Sequence, residues 1–416
     1  MERRIFRVLL YLMPALMDCV SGIFLYIGPV RAAILGYDPL IAGSMVTARA
    51  VSCCLCSWLF SRFLNSGNAV RYLVLAIIGY MGAALLGLLA TNLTMLYVTS
   101  ALAGVFMVIF SVTFQVFIKV VDSSDERPLS RVVGSYTFSW CFGMSFGPFI
   151  TGFLMSLGKP ADGVGESIGW IYSYLAAAGL ILVTLISTLW VIKASSDHMR
   201  NHLATLEQEI DVSEGSGKPD LAWIGWVTAV FGCVVLGVVR GTFPSGATNL
   251  GMEEWRSGLM MMLVAGFMGI FAYWISLGHT WMYSAKSMLL IGCLGFAGLG
   301  LYVLPRLAGW GPLEHLWQFY IGSIMVGCYS GVVYLYSAYH SLAHPEKAGR
   351  NISLNETFLA GGMIFGPLIG GWIGKHHGFY PPFMLAAVLV AVLTVFQYFA
   401  HRHYERREEC ASKSGQ

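Results

Sequence analysis

The stretch GMSFGPFITG, Gly143 to Gly152, returns later in the chain as GMIFGPLIGG, Gly362 to Gly371. Seven of the ten positions are identical, and the two copies lie 219 residues apart in a chain of 416. Arg131 and Arg350 keep the same separation, each twelve residues upstream of its copy. A repeat with so long a period predicts two halves built alike. The alternative is that Gly-rich apolar helices resemble one another by composition alone, but the shared register of Arg and Pro favours a true repeat.

The composition indicates a membrane protein. Hydrophobic residues make up 56% of the chain and charged residues only 11%, whereas soluble domains carry about 25% charged residues. About 20 apolar residues cross a bilayer as a helix. Twelve such runs are predicted at 8–30, 38–61, 70–91, 95–118, 130–156, 167–193, 222–243, 256–277, 285–304, 315–340, 349–374 and 379–400. The expected fold class is an all-α membrane protein with twelve transmembrane helices in two pseudo-symmetric six-helix bundles.

A charged stretch divides the chain into domains. We predict an N-terminal six-helix bundle at 1–193, a cytoplasmic linker at 194–220, and a C-terminal six-helix bundle with a short cytoplasmic tail at 221–416. The basic residues before the first span lead directly into it, so we expect a retained helix rather than a cleaved signal. If both termini are cytoplasmic, eighteen Lys and Arg residues lie inside and six outside. This distribution predicts a multi-pass protein of the plasma (inner) membrane with both termini cytoplasmic.

Signatures of other protein classes are missing from the sequence. Eight of the nine cysteines fall in apolar runs, which argues against a disulfide framework. The cluster Cys53-Cys54-x-Cys56 lacks a partnering Cys/His set, so we interpret it as small-residue packing rather than a metal site. The segment Glu214 to Pro219 lacks the spacing of a phosphate-binding loop. We therefore expect no enzyme, no cofactor, no metal and no nucleic-acid partner.

Charged side chains inside the predicted spans are the first candidates for a functional site. Asp18 in helix 1 and Arg49 in helix 2 both fall near the middle of the bilayer, and Glu356 falls one to two turns into helix 11. Such residues are costly in a membrane and usually functional. Asp18 and Arg49 either form an ion pair that fixes helix packing or form a proton or anion site. Glu356 is either a proton-coupling residue or part of a gate.

Further polar and aromatic residues are candidates for lining a substrate cavity. Aromatic side chains with a polar tip suit sugars, aromatic acids and amphiphilic drugs, although any single one has packing or lipid contact as the alternative. The cavity candidates are Gln115, Tyr136, Trp140, Arg240, Tyr334 and Asn355.

The repeated phrase also carries a family resemblance. Twelve spans in two halves, a charged central loop and inward termini resemble the major facilitator superfamily over nearly the whole chain. Gly143, Gly147, Pro148 and Gly152 match its G-x-x-x-G-P-x-x-G-G phrase, with Thr151 in place of one Gly. The resemblance implies an antiporter and hence export. The second copy, with Gly362, Gly366, Pro367, Gly370 and Gly371, departs from the family pattern and weakens that implication.

A second superfamily signature belongs in the loop between helices 2 and 3. Here Ser57 to Arg71 retains Leu59, Arg62 and Arg71, but Ser61 stands in the place of the expected Asp. The match is weak, which puts the usual charge relay of that loop in doubt. We predict a cytoplasmic gate formed by Arg62, Lys119, Arg131 and Arg350.

The Gly and Pro residues of the two phrases have a physical role. Gly permits close helix contact, and Pro bends a membrane helix by removing a backbone donor. The resemblance implies that helices 5 and 11 pack against the opposite half, so we expect a rocking contact there, with static packing as the alternative.

The sequence therefore predicts a secondary active transporter of a small organic solute that works by alternating access. We expect proton coupling and efflux by antiport. The alternatives are proton-coupled uptake of a sugar or organic anion, and a non-transporting receptor on a transporter scaffold. The expected partners are a small-molecule substrate and the lipid bilayer, and the expected state is a monomer.

Overall fold

The structure of the chain is a computed structural model. It describes the whole chain except residues 1, 61–62, 65–67, 122–128, 159–166, 203–219, 279, 312, 344–347 and 415–416. On the helices it leaves out the side chains of residues 2–7, 115–116, 118–121, 129–132, 195–202, 348–350, 352–353 and 408–414.

The described part of the chain contains twelve long α-helices, each of which matches one predicted apolar run, and a short 3-10 helix at Thr280–Tyr283. They are α1 (Glu2–Ile34), α2 (Pro39–Phe60), α3 (Ala69–Gly87), α4 (Leu93–Val121), α5 (Leu129–Leu157), α6 (Gly169–His202), α7 (Ala222–Asn249), α8 (Glu254–Ile275), α9 (Ala285–Ala308), α10 (Trp317–Leu342), α11 (Ala348–His377) and α12 (Pro381–Ser414). All twelve are long and apolar enough to cross a membrane. The predicted fold class is confirmed.

Several helices extend beyond the predicted apolar runs. Helix α6 continues to His202, so the first residues of the predicted linker are helical, and 203–219 lies outside the described residues. Helix α12 continues to Ser414 past its apolar run. Helix ends are set locally: Ser284 accepts a hydrogen bond from the Ser287 N–H before α9, and Gly309 ends it in the left-handed region at φ 70°. A Gly at that position is a common stop signal because it lacks a Cβ.

Helix packing repeats from one half to the other. Helix α1 packs on α5 and α6 as α7 packs on α11 and α12, and α4 packs on α2 and α3 as α10 packs on α8 and α9. Between the halves, α5 packs against α8 and α2 against α11, while α1 meets α7 at the centre. The two helices that carry the repeated phrase therefore both lie at contacts between the halves, as the resemblance implies.

Each proline of the repeated phrase packs between two glycines that belong to other helices. A Cβ on Gly22 of α1 would lie 2.6 Å from the Met144 carbonyl oxygen and 2.9 Å from Pro148 Cδ. Met144 precedes Pro148 by four residues, so its carbonyl is the one that loses its helical partner. On the other side, a Cβ on Gly258 of α8 would overlap the Pro148 carbonyl oxygen. Glycine is needed at both positions because helix backbones touch there.

The chain gives the bundle two ends. We call the end that carries both termini the terminal face and the opposite end, where α1 connects to α2, the distal face. Odd-numbered helices run toward the distal face and even-numbered helices return from it. Helices α1 and α7 pass through the centre, where each is buried over much of its apolar length.

Candidate functional site

Cross-half contacts join the two halves at the distal face. Lys375 Nζ of α11 lies 2.9 Å from Asp38 Oδ2 in the α1–α2 connection. The Tyr26 hydroxyl donates to the Glu254 carbonyl oxygen at 2.6 Å and hydrogen-bonds to Ser257 Oγ. These contacts join α1 and α2 of one half to α8 and α11 of the other, so the distal end is closed in this state.

The distal ion pair changes the titration of its acid. Partial burial of Asp38 raises its pKa, but hydrogen bonds from Lys375 and from the Ile41 N–H, together with the Lys375 charge, lower that pKa by more. The net result is a pKa below the usual Asp value. Asp38 is therefore ionised, and the pair formed, at any pH near neutrality.

Asp18 and Arg49 are both buried deep within the spans. Asp18 is 6% exposed and Arg49 is 4% exposed. Arg49 Nη2 donates to Ser21 Oγ at 2.7 Å and to the Tyr80 hydroxyl at 3.3 Å. Arg49 Nη1 is buried and has no hydrogen-bond partner among the described residues. None of the ion pairs among the described residues joins Asp18 to Arg49, and hydroxyl groups of α1 and α3 hold Arg49 instead.

Arg240 of α7 reaches the same region from the C-terminal half. Arg240 and Arg49 both act electrostatically on Asp18. Arg240 Nη2 is buried and finds no hydrogen-bond partner in the described part of the chain. Beside it lies a cavity of about 20 Å³, lined in part by Gly22, Met144 and Met261. A cavity of that size holds about one water molecule.

An aromatic contact crosses between the halves near Arg240. The rings of Trp140 on α5 and Tyr334 on α10 meet edge to face with centroids 5.4 Å apart. Cys233 Sγ donates to the Tyr334 hydroxyl at 3.3 Å, and Arg240 acts electrostatically on Tyr334. Trp140 and Tyr334 are thus in contact across the halves, and Arg240 lies within electrostatic reach of Tyr334.

The remaining candidates on described side chains are Tyr136, Asn355 and Glu356, and Glu356 acts electrostatically on Cys233. Tyr136 is half-buried one helical turn before Trp140 on α5. Asn355 of α11 is buried, and neither atom of its amide group has a hydrogen-bond partner among the residues described. Glu356 is exposed, and within the described structure it forms no ion pair with Arg49 or Arg240.

Comparison with known proteins identifies the family of the chain. The family model described as Major Facilitator Superfamily matches residues 10–357 and again 281–415. The chain belongs to the Major Facilitator Superfamily. The family and its fold are those of transporters rather than enzymes, and the chain is a multi-pass integral membrane protein.

Individual superfamily members are more distant. The chain is 29% identical over 129 residues to the multidrug resistance protein MdtG of Dickeya zeae and 28% identical over 162 residues to MdtG of Salmonella dublin. These matches cover 31% and 38% of the chain, and 29% and 38% of the relatives' own length.

Two solved superfamily structures share the fold over nearly their full length. One is the xylose transporter XylE from E. coli, with a TM-score of 0.63 and 14% identity over 94% of this chain and 98% of that one. The other is a bacterial homologue of the human lysosomal transporter Spinster, with a TM-score of 0.69 and 15% identity over 97% of this chain and 98% of that one.

Part of the expected superfamily machinery lies outside the described residues. This applies to Arg62 entirely, and to the side chains of Gln115, Lys119, Arg131 and Arg350, whose helical backbones are described. The predicted gate at the terminal face therefore stays a prediction, as does the role of Gln115 in the cavity.

Several residues at the site escaped the sequence analysis. Gly22 and Gly237, like Gly43 and Gly258, lie 215 residues apart and contact Pro148 or Pro367 in matching ways. Comparing the two halves with a four-residue gap would have found them. Lys375 and Asp38 gave no signal, because charges near the ends of spans are ordinary.

Proposed function

We propose that the chain is a proton-coupled secondary active transporter that exports a small organic solute by alternating access. Asp18 binds the coupling proton, and Arg49 and Arg240 set the electrostatic field around it. The observation that carries the proposal is the deep burial of Asp18 within a membrane-spanning helix, near two arginines from different halves and without an ion pair among the described residues. A carboxyl group in such a place is expected to function rather than to stabilise.

Export is supported by two independent features. The α5 phrase around Gly147 and Pro148 resembles the one associated with antiporters. The relatives in Dickeya and Salmonella are named multidrug resistance proteins, although they match only a part of the chain. In this scheme the two six-helix bundles, 1–193 and 221–416, rock about the contacts α5–α8 and α2–α11. The glycines of both phrases, together with Pro148 and Pro367, form the moving surfaces.

The remaining parts of the proposal concern placement and gating. The protein lies in the plasma (inner) membrane as a monomer with both termini cytoplasmic, so the terminal face is the cytoplasmic one. Arg62, Lys119, Arg131 and Arg350 close that face when the distal face opens. Glu356 and Asn355 line the path on the C-terminal side, and Glu356 takes part in proton transfer.

A second candidate function is proton-coupled uptake of an organic anion. The observation that favours it is the pair of unpartnered guanidinium nitrogens, Arg49 Nη1 and Arg240 Nη2. An anion bound near Asp18 increases the affinity of the carboxylate for a proton, so that proton and solute are carried together. A non-transporting receptor is the third candidate.

The test is flux in proteoliposomes that contain the purified protein and a pH-sensitive dye inside. A proton gradient of either sign is imposed, and solutes are screened for movement with or against the protons. Asp18→Asn is expected to reduce proton-driven flux to the level of protein-free liposomes while leaving the protein folded. Glu314→Gln, which changes an exposed acid in the α9–α10 connection, is the control and keeps full flux.

The direction of coupled movement separates the candidates. Solute that moves against the proton flow supports export, and solute that moves with it supports the second candidate. Proton-driven flux of wild-type size in Asp18→Asn would remove Asp18 from the coupling role. A folded protein that moves none of the solutes under either gradient would favour the receptor.

A further inference from the structure

Two buried charged groups and one half-buried one lie within electrostatic reach of each other in the two halves, and their charges do not balance. Asp18 of α1 and Arg49 of α2 are each more than nine-tenths buried. Arg240 of α7 is half-buried, and its Nη2 atom is fully enclosed. Buried charges are strongly unfavourable unless they are paired and hydrogen-bonded. Even with Asp18 ionised, the group of three keeps one positive charge in excess, and it keeps two when Asp18 is protonated.

The guanidinium groups also have unused donors. Arg49 uses Nη2 on two hydroxyl groups and leaves Nη1 without a partner in the described structure. Arg240 Nη2 is likewise without one among the described residues. A buried donor with no acceptor is rare in folded proteins and calls for a missing partner. Two such donors, from opposite halves and around one carboxyl group, point to an acceptor that the chain itself does not supply in this state.

Glu356 is another acidic residue that could balance the excess positive charge, but it does not pair with either arginine in the described structure. It is exposed on α11, and none of the ion pairs formed by described residues joins it to Arg240 or Arg49. Water at this site satisfies hydrogen bonds but leaves the excess charge in place. The excess positive charge therefore favours an anion as the missing partner.

The surroundings of Arg240 restrict the shape of that anion. The adjoining cavity of about 20 Å³ is lined by apolar groups that include Met144, Met261 and Leu25. It admits a group about the size of a water molecule. The aromatic contact between Trp140 and Tyr334 lies close by. These apolar groups and the two rings favour an anion with an apolar or aromatic body, and such a solute needs more room than the cavity offers in this state.

We infer that the transported solute is an organic acid with an apolar or aromatic body, whose acidic group is bound between Arg240 and Arg49. The inference rests on the proposed transport function and assigns its substrate class. Carboxylate, sulfonate and phosphonate groups all match the planar array of guanidinium donors. Neutral and cationic solutes of the same shape leave the donors unused or add to the excess positive charge.

The test compares three ligands of one shape on the purified full chain in nanodiscs. They are 2-naphthoate, 2-naphthalenemethanol and 2-naphthylmethylammonium, and binding is followed by tryptophan fluorescence. The acid is expected to bind at least about tenfold more tightly than the alcohol, because it gains charge-assisted hydrogen bonds. The ammonium compound is expected to bind most weakly. No preference for the acid, including no binding at millimolar concentration, overturns the inference.

Substitutions of Arg240 test whether this residue is responsible for the preference for the acid. Arg240→Gln is expected to reduce acid binding about tenfold and to leave binding of the alcohol unchanged. Arg240→Lys keeps the charge and is expected to retain part of the preference. Arg306→Gln changes an exposed arginine near the end of α9 and serves as the control with wild-type binding. An unchanged acid preference in folded Arg240→Gln contradicts the assignment.

Flux measurements keep this inference separate from the proposed function. Acid binding without flux under either proton gradient would refute coupled transport and leave the ligand class standing. Proton-driven flux of a neutral or cationic solute that is unaffected by Arg240→Gln would refute the ligand class and leave transport standing.

Discussion

In the N-terminal half, Pro148 presents its carbonyl oxygen to Gly258 of the other half, and in the C-terminal half Pro367 presents its own to Gly43. The positions of the charges do not repeat in this way. At the same 215-residue spacing, Asp18 corresponds to Cys233 and Arg49 to Val264. The two halves are therefore alike in their backbone contacts and different in their buried charges. In the proposed mechanism both halves move alike and need the same backbone contacts, whereas the proposed binding site is single and needs each charge only once.

The largest expected effect comes from filling the two glycine contacts. Gly258→Ala and Gly43→Ala each place a Cβ against a proline carbonyl. Overpacking of this kind costs about 1–3 kcal/mol, so both variants are expected to unfold at lower temperature and to lose flux to a similar extent. The measurements are thermal unfolding in detergent and flux in proteoliposomes.

A matched control lies on the same helix as Gly258. A Cβ on Gly266 of α8 would make an ordinary 3.6 Å contact with Ser145, so Gly266→Ala is expected to behave as wild type. If only one of Gly258→Ala and Gly43→Ala is harmful, the two halves do not move alike, and their glycine contacts are not equivalent.

A smaller effect is expected from the prolines themselves. Pro148→Ala and Pro367→Ala each restore one helical hydrogen bond, worth about 1 kcal/mol. Stabilising the straighter helix by that amount is expected to slow exchange between states about fivefold while ligand affinity is retained. Turnover and equilibrium binding measured on the same preparation test this.

Pro305→Ala is the control for the proline variants. Pro305 lies near the end of α9, away from the contacts between the halves, so its replacement is expected to leave turnover unchanged. Wild-type turnover in both Pro148→Ala and Pro367→Ala would leave static packing as the role of the phrase.

The smallest effect is expected at the distal ion pair. Lys375 and Asp38 are 40% and 36% exposed, and such pairs contribute about 0–1 kcal/mol. Because the pKa of Asp38 is lowered in this state, the pair stabilises distal closure above the usual Asp pKa of about 4. That stabilisation is lost as the pH falls through the lowered pKa. Asp38→Asn should raise the open fraction slightly at neutral pH and remove its dependence on acid.

The open fraction can be measured by energy transfer between dyes at positions 91 and 311, which lie on the distal face in different halves. Lys375→Gln is expected to match Asp38→Asn, and the double variant is expected to add nothing further. Additive effects would show that the two residues act separately. Arg256→Gln breaks an ion pair within one half and should leave the open fraction unchanged.

The fold could be predicted from the sequence because it rests on long-range patterns. The twelve apolar runs are visibly long enough to span a bilayer. The repeated GPF/GPL phrase indicates close contact between helix backbones. The site was harder to predict. Asp18, Arg49 and Arg240 stand out as charges in apolar runs, but the hydroxyl groups that hold Arg49, Ser21 and Tyr80, are ordinary residues on other helices. Which hydroxyl groups contact Arg49 depends on how the helices pack, and no local pattern in a single sequence indicates that.

The contacts at Gly43 and Gly258 consist of backbone atoms on both sides. Side chains that interlock must leave one set of rotamers and find another whenever a contact breaks and reforms, and that search costs entropy and time. A carbonyl oxygen against a glycine Cα has no rotamers to change. In the proposed cycle, such a surface can part and close and return to the same geometry without any side chain at the contact changing its rotamer.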